Sequence, residues 1–524
     1  MSVLFCRRLH LKMFCMRRVV VQSTFKRLHT NRRLQSTLKP NNAKSWLFGL
    51  AALVTIPAVV YLTAPKDVVK AKQIIKKPVV KQIKEDLPLI HGKDVVELED
   101  SPTTDTEAET LVDSDPGELI DTEKEILNVK YVLVGSGVAS FTAIKGIRDN
   151  DKEGAILMVS EESELPYQKP PMSKELWISG NDALEFKDWS GKNASIYYKN
   201  QDYFESQNVA LAFNKQVVAI DSDSQIITLD NGTMIRYEKL LLATGSKPVQ
   251  LPISTPFAKS NTFTFRDLKD YTRLKELAKQ QKHILVIGGG FLGSELAAGL
   301  VHNGATVTQV YPENGNLGLV LPDYLSEHCK SQVEALNVAV HSNVLVTDIS
   351  SQDDKIVVSL SDNTSISADN CVVCVGCKPN TELAKSSGLE IDNNGGLLVN
   401  SELIATSNIY GAGDLISFYD PILGRRRIEH YDHAAKSGYH AGFNMSNTTS
   451  HKPYTYQPMF WSDVGPTVSF EAVGLLNSKL KTKSFWNMNS TTPFDKGVVF
   501  YINKDDKIGN SYSFSWCIDI QYTW

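Results

Sequence analysis

The sequence predicts an α/β fold from two stretches of similar design, YVLVGSGVASFTAI at 131–144 and ILVIGGGFLGSELAAGL at 284–300. Each reads as an apolar strand, a glycine turn and a helix, which is the pattern of a Rossmann-like dinucleotide-binding unit. A chain of 524 residues, 42% of them hydrophobic, is long enough for two or three domains with cores of their own. We therefore expect two Rossmann-like domains.

The first unit carries the features of a pyrophosphate cradle. Gly135 permits the tight turn, Gly137 lets a pyrophosphate approach the backbone, and the helix that follows offers free N–H groups and the positive end of its dipole. Ser140 occupies the third position of the fingerprint, where Gly or Ala is usual. The next strand, GAILMVSEE, ends in Glu161 and Glu162, and an acid there typically accepts from a ribose hydroxyl.

The second unit is more regular, with Gly288, Gly290 and Gly293 completing the fingerprint. The strand ATVTQVYPE is predicted to end at Glu313, a carboxylate that suits the free 2′-hydroxyl of NADH and repels the 2′-phosphate of NADPH. Two unrelated glycine turns are the alternative, but that alternative does not explain why an acid follows the next strand in both units. One cradle is predicted to hold a flavin dinucleotide and the other a nicotinamide dinucleotide, since direct hydride transfer requires the two rings to meet.

Three further segments agree with this organisation. LLLATGSKP at 240–248 and CVVCVGCKP at 371–379 each close a module with a strand and a turn of small residues. TSNIYGAGDL ends a strand at Asp414. Its side chain is predicted to reach the ribityl hydroxyls of the flavin while the N-terminus of a following helix faces the ring; a helix N-cap is the alternative role.

The N-terminal part of the sequence predicts a targeting signal followed by a membrane-spanning helix. Residues 1–66 contain twelve Lys or Arg and no acid, and residues 1–36 are predicted to be a mitochondrial targeting leader, with a disordered basic tail as the alternative. The uncharged residues 46–64 span ~28 Å as a helix, close to the ~30 Å hydrocarbon core of a membrane. We expect a transmembrane helix there, with a core helix as the alternative, and a disordered acidic tether at 67–125.

Charge argues against a general nucleic-acid binder. Residues 126–524 carry −8 by formal count, because twelve basic residues precede Asp67 and the tether adds eight Lys against sixteen acids. Phosphate contacts need a cationic footprint. The cluster Arg425–Arg427 in GRRRIEH is too small to supply one, so nucleic-acid binding is expected to be weak at most.

Several longer motifs resemble the apoptosis-inducing factor family, mitochondrial flavoproteins of the glutathione-reductase-like superfamily. They are ELPYQKPPMSKELW, GGGFLGSELA, VGCKPNTELAK, GAGDLISFYDPILGRRRIEHYDHA and MFWSDVGP. The resemblance covers about residues 126–505 and implies an FAD-binding domain at 126–250 and 377–455, an NADH-binding domain at 251–376 and an α+β C-terminal domain at 456–524. The tail SYSFSWCIDIQYTW departs from the family, so that last domain is expected to be truncated or divergent.

The resemblance also implies cofactor contacts. Those to FAD are Gly135, Gly137, Val138, Ala139, Glu161, Glu162, Lys169, Lys174, Val218, Arg266, Asp414, His430 and Tyr431. Those to NADH are Gly289, Gly290, Phe291, Leu292, Glu313, Gly376, Glu429, Trp461 and Glu471. Lys169 stands where the family usually has Arg, Tyr431 where His is common, and Leu319 where a Lys is frequent. Lys174 and Glu295 resemble the catalytic ion pair beside the flavin N5; two charges on helix surfaces are the alternative.

The cysteines limit the chemistry. No cysteine lies between Gly135 and Cys329, so electrons cannot leave a flavin there through the dithiol that disulfide reductases carry. Cys371, Cys374 and Cys377 have C-x2-C-x2-C spacing. On a strand, however, Cys371 and Cys374 point to opposite faces, and we expect no metal site.

Two functions remain open. The first is an NADH oxidoreductase that passes electrons from FAD to a quinone, oxygen or a small acceptor. The second is an NADH-gated binding protein with little turnover. The resemblance implies an NADH-dependent homodimer, a partnership with an oxidative import factor that supports respiratory-chain assembly, and release to the nucleus in cell death. The acid-free leader and the uncharged span predict an inner-membrane location with the body in the intermembrane space.

Overall fold

A computed structural model describes residues 126–502 apart from residues 181, 189, 448, 467 and 488–492. The predicted leader, membrane span, tether and divergent tail lie outside the described residues. Within the part that is described, no helix is both long enough and apolar enough to cross a membrane.

The first segment of the chain forms most of one sheet. Its elements are β1 Leu127–Val134, α1 Val138–Asn150, β2 Ile156–Val159, β3 Glu185–Lys187, β4 Asn193–Ser195, α2 Gln201–Ser206, β5 Val209–Ala212, β6 Val217–Asp221, β7 Ile226–Leu229, β8 Met234–Leu242 and β9 Ser246–Pro248. Two 3₁₀ turns, Pro170–Ser173 and Glu175–Trp177, lie between β2 and β3. The last four residues of β1 are buried, as expected for a strand with neighbours on both sides in a parallel sheet.

The second segment forms a separate sheet. Its elements are α3 Pro256–Asn261, β10 Thr262–Thr264, α4 Leu268–Lys279, β11 His283–Ile287, α5 Phe291–His302, β12 Thr306–Val310, α6 Asp323–Ala335, β13 Ala339–His341, β14 Val346–Gln352, β15 Lys355–Leu360, β16 Ser365–Ala368 and β17 Asn370–Val373. Five of its strands pair in parallel in the order β10-β17-β11-β12-β13. Strands β14–β16 form an antiparallel sheet of their own.

The third segment returns to the first sheet. Its elements are β18 Cys377–Pro379, α7 Glu382–Ser386, β19 Leu397–Leu398, β20 Ile404–Thr406, β21 Ile409–Gly411, a 3₁₀ turn Gly413–Leu415, β22 Ile416–Asp420, β23 Gly424–Arg426, α8 Tyr431–Ser446, β24 Met459–Val464, β25 Val468–Val473, β26 Lys481–Trp486 and β27 Gly497–Ile502. The first sheet runs β20-β21-β8-β1-β2-β5, with β7 on β8 and β6 on β7. Strands β20 and β21 of the third segment thus complete the sheet of the first segment.

Two contacts hold this arrangement together. Strand β9 pairs antiparallel with β18, with Lys247 opposite Lys378. The ends of the motifs LLLATGSKP and CVVCVGCKP are therefore hydrogen-bonded to each other. Helices α1 and α8 approach backbone to backbone, because a Cβ on Gly438 would lie 2.1 Å from the Ala139 oxygen and one on Gly442 would lie 2.2 Å from the Ala143 oxygen. Helix α8 thus packs closely against α1, the helix that follows the first glycine turn.

Candidate active site between two glycine cradles

The first glycine turn has the shape of a pyrophosphate cradle. Gly135 has φ +105°, and a Cβ there would lie 2.4 Å from the carbonyl oxygen of Ala243, so a side chain is excluded. Gly137 is the N-cap of α1, and nothing lies within 4 Å of its ideal Cβ position. Val138 and Ala139 follow as the first helical residues. The turn is therefore closed on its sheet side and open at the helix N-terminus, where a phosphate fits.

The two acids beyond β2 have different surroundings. Glu161 is exposed, and Glu162 accepts hydrogen bonds from the Tyr167 hydroxyl (2.6 Å) and the Lys169 ammonium (3.1 Å). Burial favours the neutral form of Glu162, but the charge of Lys169 and the Tyr167 hydroxyl outweigh burial and lower its pKa. Glu162 is thus an ionised acceptor at the place predicted for a ribose contact. Strand β2 ends before both acids, at Val159.

Asp414 lies in a short helical turn of the third segment. This 3₁₀ turn leads into β22, and the next α-helix, α8, begins at Tyr431. The alternative role of an N-cap is excluded, because Ala412 holds the N-cap position of the turn. The Asp414 carboxylate accepts from Ser246 Oγ (2.8 Å) and Arg266 Nη2 (3.2 Å), which brings two predicted flavin contacts together.

The second glycine turn repeats the first. Gly288 has φ +125°, and a Cβ there would lie 2.3 Å from the Cys374 oxygen. A Cβ on Gly293 would lie 2.2 Å from the oxygen of Gly288, so the third glycine allows α5 to pack on the turn. Gly290, the N-cap of α5, has open space around its Cβ position, and Phe291 and Leu292 begin the helix. Gly376 (φ +104°) also has open space beside it.

Glu313 lies beyond its strand. Strand β12 ends at Val310, so the carboxylate sits on the loop that follows and not at the strand end that the sequence predicts. The Asn343 N–H donates to the Glu313 carbonyl oxygen (3.0 Å), which fixes the backbone there. Leu319, on the same loop, is 69% exposed.

Lys174 and Glu295 form a buried ion pair. Lys174 Nζ lies 2.7 Å from Glu295 Oε2, and the two side chains are 9% and 4% exposed. This excludes the alternative of two charges on helix surfaces. Ser173 Oγ donates to Oε2 (2.6 Å) and Ser462 Oγ donates to Oε1 (2.6 Å). The sequence analysis missed both serines, although they lie within the motifs PPMSKELW and MFWSDVGP.

Aromatic rings connect the two cradles. His430, the N-cap of α8, stacks on Phe460 with centroids 4.4 Å apart and planes 6° apart, and burial lowers the pKa of His430 to about 4. Phe460 also meets Phe291 edge to face at 5.2 Å. The Phe460 ring therefore contacts both His430, which is predicted to bind FAD, and Phe291, which is predicted to bind NADH. Tyr431 similarly meets Trp461 edge to face at 5.9 Å.

The remaining predicted contacts are spread around this centre. Trp461 on β24 lies opposite Glu471 on β25. Glu429 pairs with the guanidinium of Arg427, which also donates to the Asp414 carbonyl oxygen (3.2 Å). Val218, on β6, is 49% exposed, and no described contact joins it to the other site residues.

The cysteines of CVVCVGC have different surroundings. Cys371 packs in the core under β14 and β15, whereas Cys374 packs against the core on the other face of its sheet, as predicted. Burial raises the pKa of all three thiols, that of Cys374 to about 12. Among the residues that the structure covers, no three His, Cys, Asp or Glu side chains are placed to hold a metal ion.

One cradle for each of two dinucleotides, with a buried charge pair and shared rings between them, is the arrangement of a flavin-dependent pyridine nucleotide oxidoreductase. Residues 129–438 match the family described as pyridine nucleotide-disulphide oxidoreductase, and residues 441–493 match the apoptosis-inducing factor, mitochondrion-associated, C-terminal domain. The chain belongs to the first family and, within it, to the apoptosis-inducing factor proteins.

Relatives support this membership. The chain is 41% identical to apoptosis-inducing factor 1, mitochondrial, of Dictyostelium discoideum over 74% of its length and 76% of that protein. It is 40% identical to the putative apoptosis-inducing factor 1 of Drosophila melanogaster over 68% of its length and 51% of that protein. A ferredoxin reductase from Rhodopseudomonas palustris superposes with a TM-score of 0.63 at 27% identity, covering 72% of this chain and 89% of that one. The predicted family, oxidoreductase class and cofactors FAD and NAD(H) are confirmed.

Proposed function

We propose that the protein oxidises NADH through bound FAD and passes the electrons to a quinone, oxygen or a small acceptor. The observation that carries this proposal is the Lys174–Glu295 pair. Lys174 belongs to the predicted FAD contacts, and Glu295 lies on α5, whose N-terminus is the second cradle. The buried ion pair thus links a predicted FAD contact to the helix of the second cradle.

The chain's own residues have distinct roles in this proposal. The open N-termini of α1 and α5 hold the two pyrophosphates, with Glu162 and Glu313 on the riboses. Asp414, oriented by Ser246 and Arg266, holds the flavin side chain. A bound FAD accepts a hydride from NADH and hands electrons on singly or in pairs. Ser173 and Ser462 fix the Glu295 carboxylate, and Glu295 holds the Lys174 ammonium in one position.

The cysteines restrict the acceptor. The sequence places no cysteine between Gly135 and Cys329, and burial raises the pKa of the Cys329, Cys371 and Cys374 thiols, which keeps them protonated and poorly nucleophilic. The electrons therefore leave the flavin directly. No cysteine pair carries electrons from the flavin to an acceptor, which leaves room for a second candidate function, an NADH-gated binding protein. In that function, reduction of the flavin changes the protein surface, which then binds a second copy or an import factor.

Two experiments test both functions: an anaerobic titration with NADH, followed by absorbance and molecular mass together, and separate turnover assays with added acceptors. The oxidoreductase function requires stoichiometric bleaching of the flavin and rapid turnover with at least one acceptor among quinones, oxygen and ferricyanide. Slow turnover with every acceptor, beside a doubling of mass on reduction, supports the binding protein. No bleaching by NADH contradicts both.

We further propose a mitochondrial inner-membrane location with the body in the intermembrane space, and a role in respiratory-chain assembly and in cell death after release to the nucleus. The names of the two relatives and the acid-free N-terminal residues 1–66 support this location. Protease added to mitochondria with a ruptured outer membrane should digest the body. Protection of the body would place it in the matrix.

A further inference from the structure

A closed set of hydrogen bonds lies beneath the second glycine turn. We call it the Asn316 network; its side chains are Ser294, Gln309, Tyr311, Asn316 and Ser326, each at most 1% exposed. The Asn316 amide donates to Ser294 Oγ (2.8 Å) and Gln309 Oε1 (2.9 Å) and accepts from the Tyr311 hydroxyl (2.6 Å). Ser326 Oγ donates to the Asn316 carbonyl oxygen (2.9 Å). Every polar atom of the Asn316 side chain is thereby satisfied.

The network ends on the glycine turn itself. Gln309 Nε2 donates to the Gly288 carbonyl oxygen (2.9 Å), and Ser294 Oγ donates to that of Gly289 (3.3 Å). The Tyr311 ring lies directly under the turn, since a Cβ on Gly289 would come within 2.5 Å of it. Both carbonyls are thus held on the buried side of the turn, and the opposite side, at Gly290, stays open.

The network also fixes the loop that carries Glu313. This loop runs from Tyr311 to Leu317, and its C-terminal end is bonded to the turn because the Leu317 N–H donates to the Gly289 oxygen (2.7 Å). Leu317 has φ +61°, a conformation that costs a side-chain-bearing residue energy and needs such a support. Tyr311 and Asn316 lie on either side of Glu313 and bond to each other.

We propose that the Asn316 network is a positioning device for nucleotide recognition, which sets the Glu313 carboxylate at a fixed place relative to the N-terminus of α5. Apolar side chains of similar shape can replace a buried hydrogen-bonded set with little loss of stability, so stability alone does not account for five linked polar groups. A fixed spacing between a pyrophosphate cradle and a ribose acceptor does account for them. This inference rests on the proposed function, since it assigns NADH to the second cradle.

The test uses Tyr311→Phe, which removes one hydroxyl and keeps the ring beneath Gly289. NADH and reduced nicotinamide mononucleotide, which lacks the adenosine half, are compared as donors with ferricyanide as acceptor. The KM for NADH should rise ~3- to 10-fold, as expected for one lost buried hydrogen bond, while kcat and FAD content hold within ~2-fold. Rates with reduced nicotinamide mononucleotide should not change. Asn316→Ala should act in the same direction and more strongly.

Tyr131→Phe is the matched control, because it removes the bond from a buried tyrosine hydroxyl to Asp151 (3.0 Å) on the other sheet. It should leave the KM for NADH unchanged. An equal loss with both donors in Tyr311→Phe, or no change with either, overturns the inference. The proposed function fails separately if the unaltered protein shows no advantage of NADH over the mononucleotide.

Discussion

Lys174 Nζ and Glu295 Oε2 lie 2.7 Å apart although 121 positions separate the two residues in the chain. Two serine hydroxyls complete the carboxylate's partners, one from the chain just before Lys174 and one from β24. The pair therefore joins all three segments of the chain at one point. Its geometry gives a way to separate its contribution to stability from its contribution to catalysis.

Lys174→Met should lower both stability and turnover. It leaves the Glu295 carboxylate buried without its cation, which costs ~3–5 kcal/mol of unfolding free energy. The double variant Lys174→Met with Glu295→Leu should recover most of that stability, because a buried pair replaced by apolar groups is often neutral. Turnover should stay low in both variants. Turnover near the unaltered level in the double variant would show that the pair is structural only.

The second glycine of each turn should matter for ligands and not for folding. Gly137→Ala places a methyl in open space, so the variant should lose FAD but unfold at the same temperature as the unaltered protein when both are compared without FAD. Gly135→Ala should unfold the region, since its Cβ lies 2.4 Å from the Ala243 oxygen. Gly290→Ala should keep FAD and raise the KM for NADH. Full FAD content in purified Gly137→Ala would contradict the placement of the pyrophosphate.

Glu313 should set the choice between the two nicotinamide nucleotides. The ratio of kcat/KM for NADH to that for NADPH should exceed one by a wide margin. Glu313→Ala should lower that ratio by a factor equivalent to ~1–3 kcal/mol, which is the contribution of a hydrogen bond to a charged group. The neighbouring exposed Leu319→Ala serves as the control, and it should leave the ratio unchanged. Equal ratios before and after Glu313→Ala would refute this role.

His433 should make the fold acid-sensitive. It is fully buried against Phe418 and Tyr454, and burial lowers its pKa from 6.5 to about 3. The unfolded chain binds its proton below pH 6.5 and the folded chain does not, so stability is full above pH 6.5 and falls with acidification towards pH 3. Between pH 6.5 and 4.5 the loss should reach ~2–3 kcal/mol.

Denaturant unfolding at pH 7.0, 5.5 and 4.5 measures this loss. His433→Phe should show a shallower fall with pH than the unaltered protein. His341→Phe, in which an exposed histidine of β13 is replaced, is the control and should keep the original slope. The same slope in His433→Phe would show that other groups cause the acid sensitivity.

The folded body should bind DNA weakly. Residues 126–524 carry −8 by formal count. The cluster Arg425–Arg427 is largely used within the fold, because Arg425 donates to two backbone oxygens, Arg426 pairs with Asp420 and Arg427 pairs with Glu429. Binding weaker than ~10⁻⁵ M at physiological salt is expected. A fluorescence titration of residues 126–524 measures it; tight, salt-resistant binding would reveal a basic face that net charge conceals.

The sequence by itself determined the two glycine turns, the acids that follow them and the segregation of charge along the chain. These features are local: a positive φ at Gly135 or Gly288 and an apolar strand before each are properties of a few adjacent residues. Family motifs added Lys174 and Glu295 as candidates, but sequence spacing could not tell a buried pair from two surface charges.

The tertiary structure decided what depends on residues distant in the chain. It joined Lys174 to Glu295, paired β9 with β18, and placed the Asn316 network under the glycine turn. It also excluded the N-cap role for Asp414, because Ala412 holds that position in the 3₁₀ turn. Burial is what made these interactions specific: once water is excluded, each polar group must find its partner within the fold.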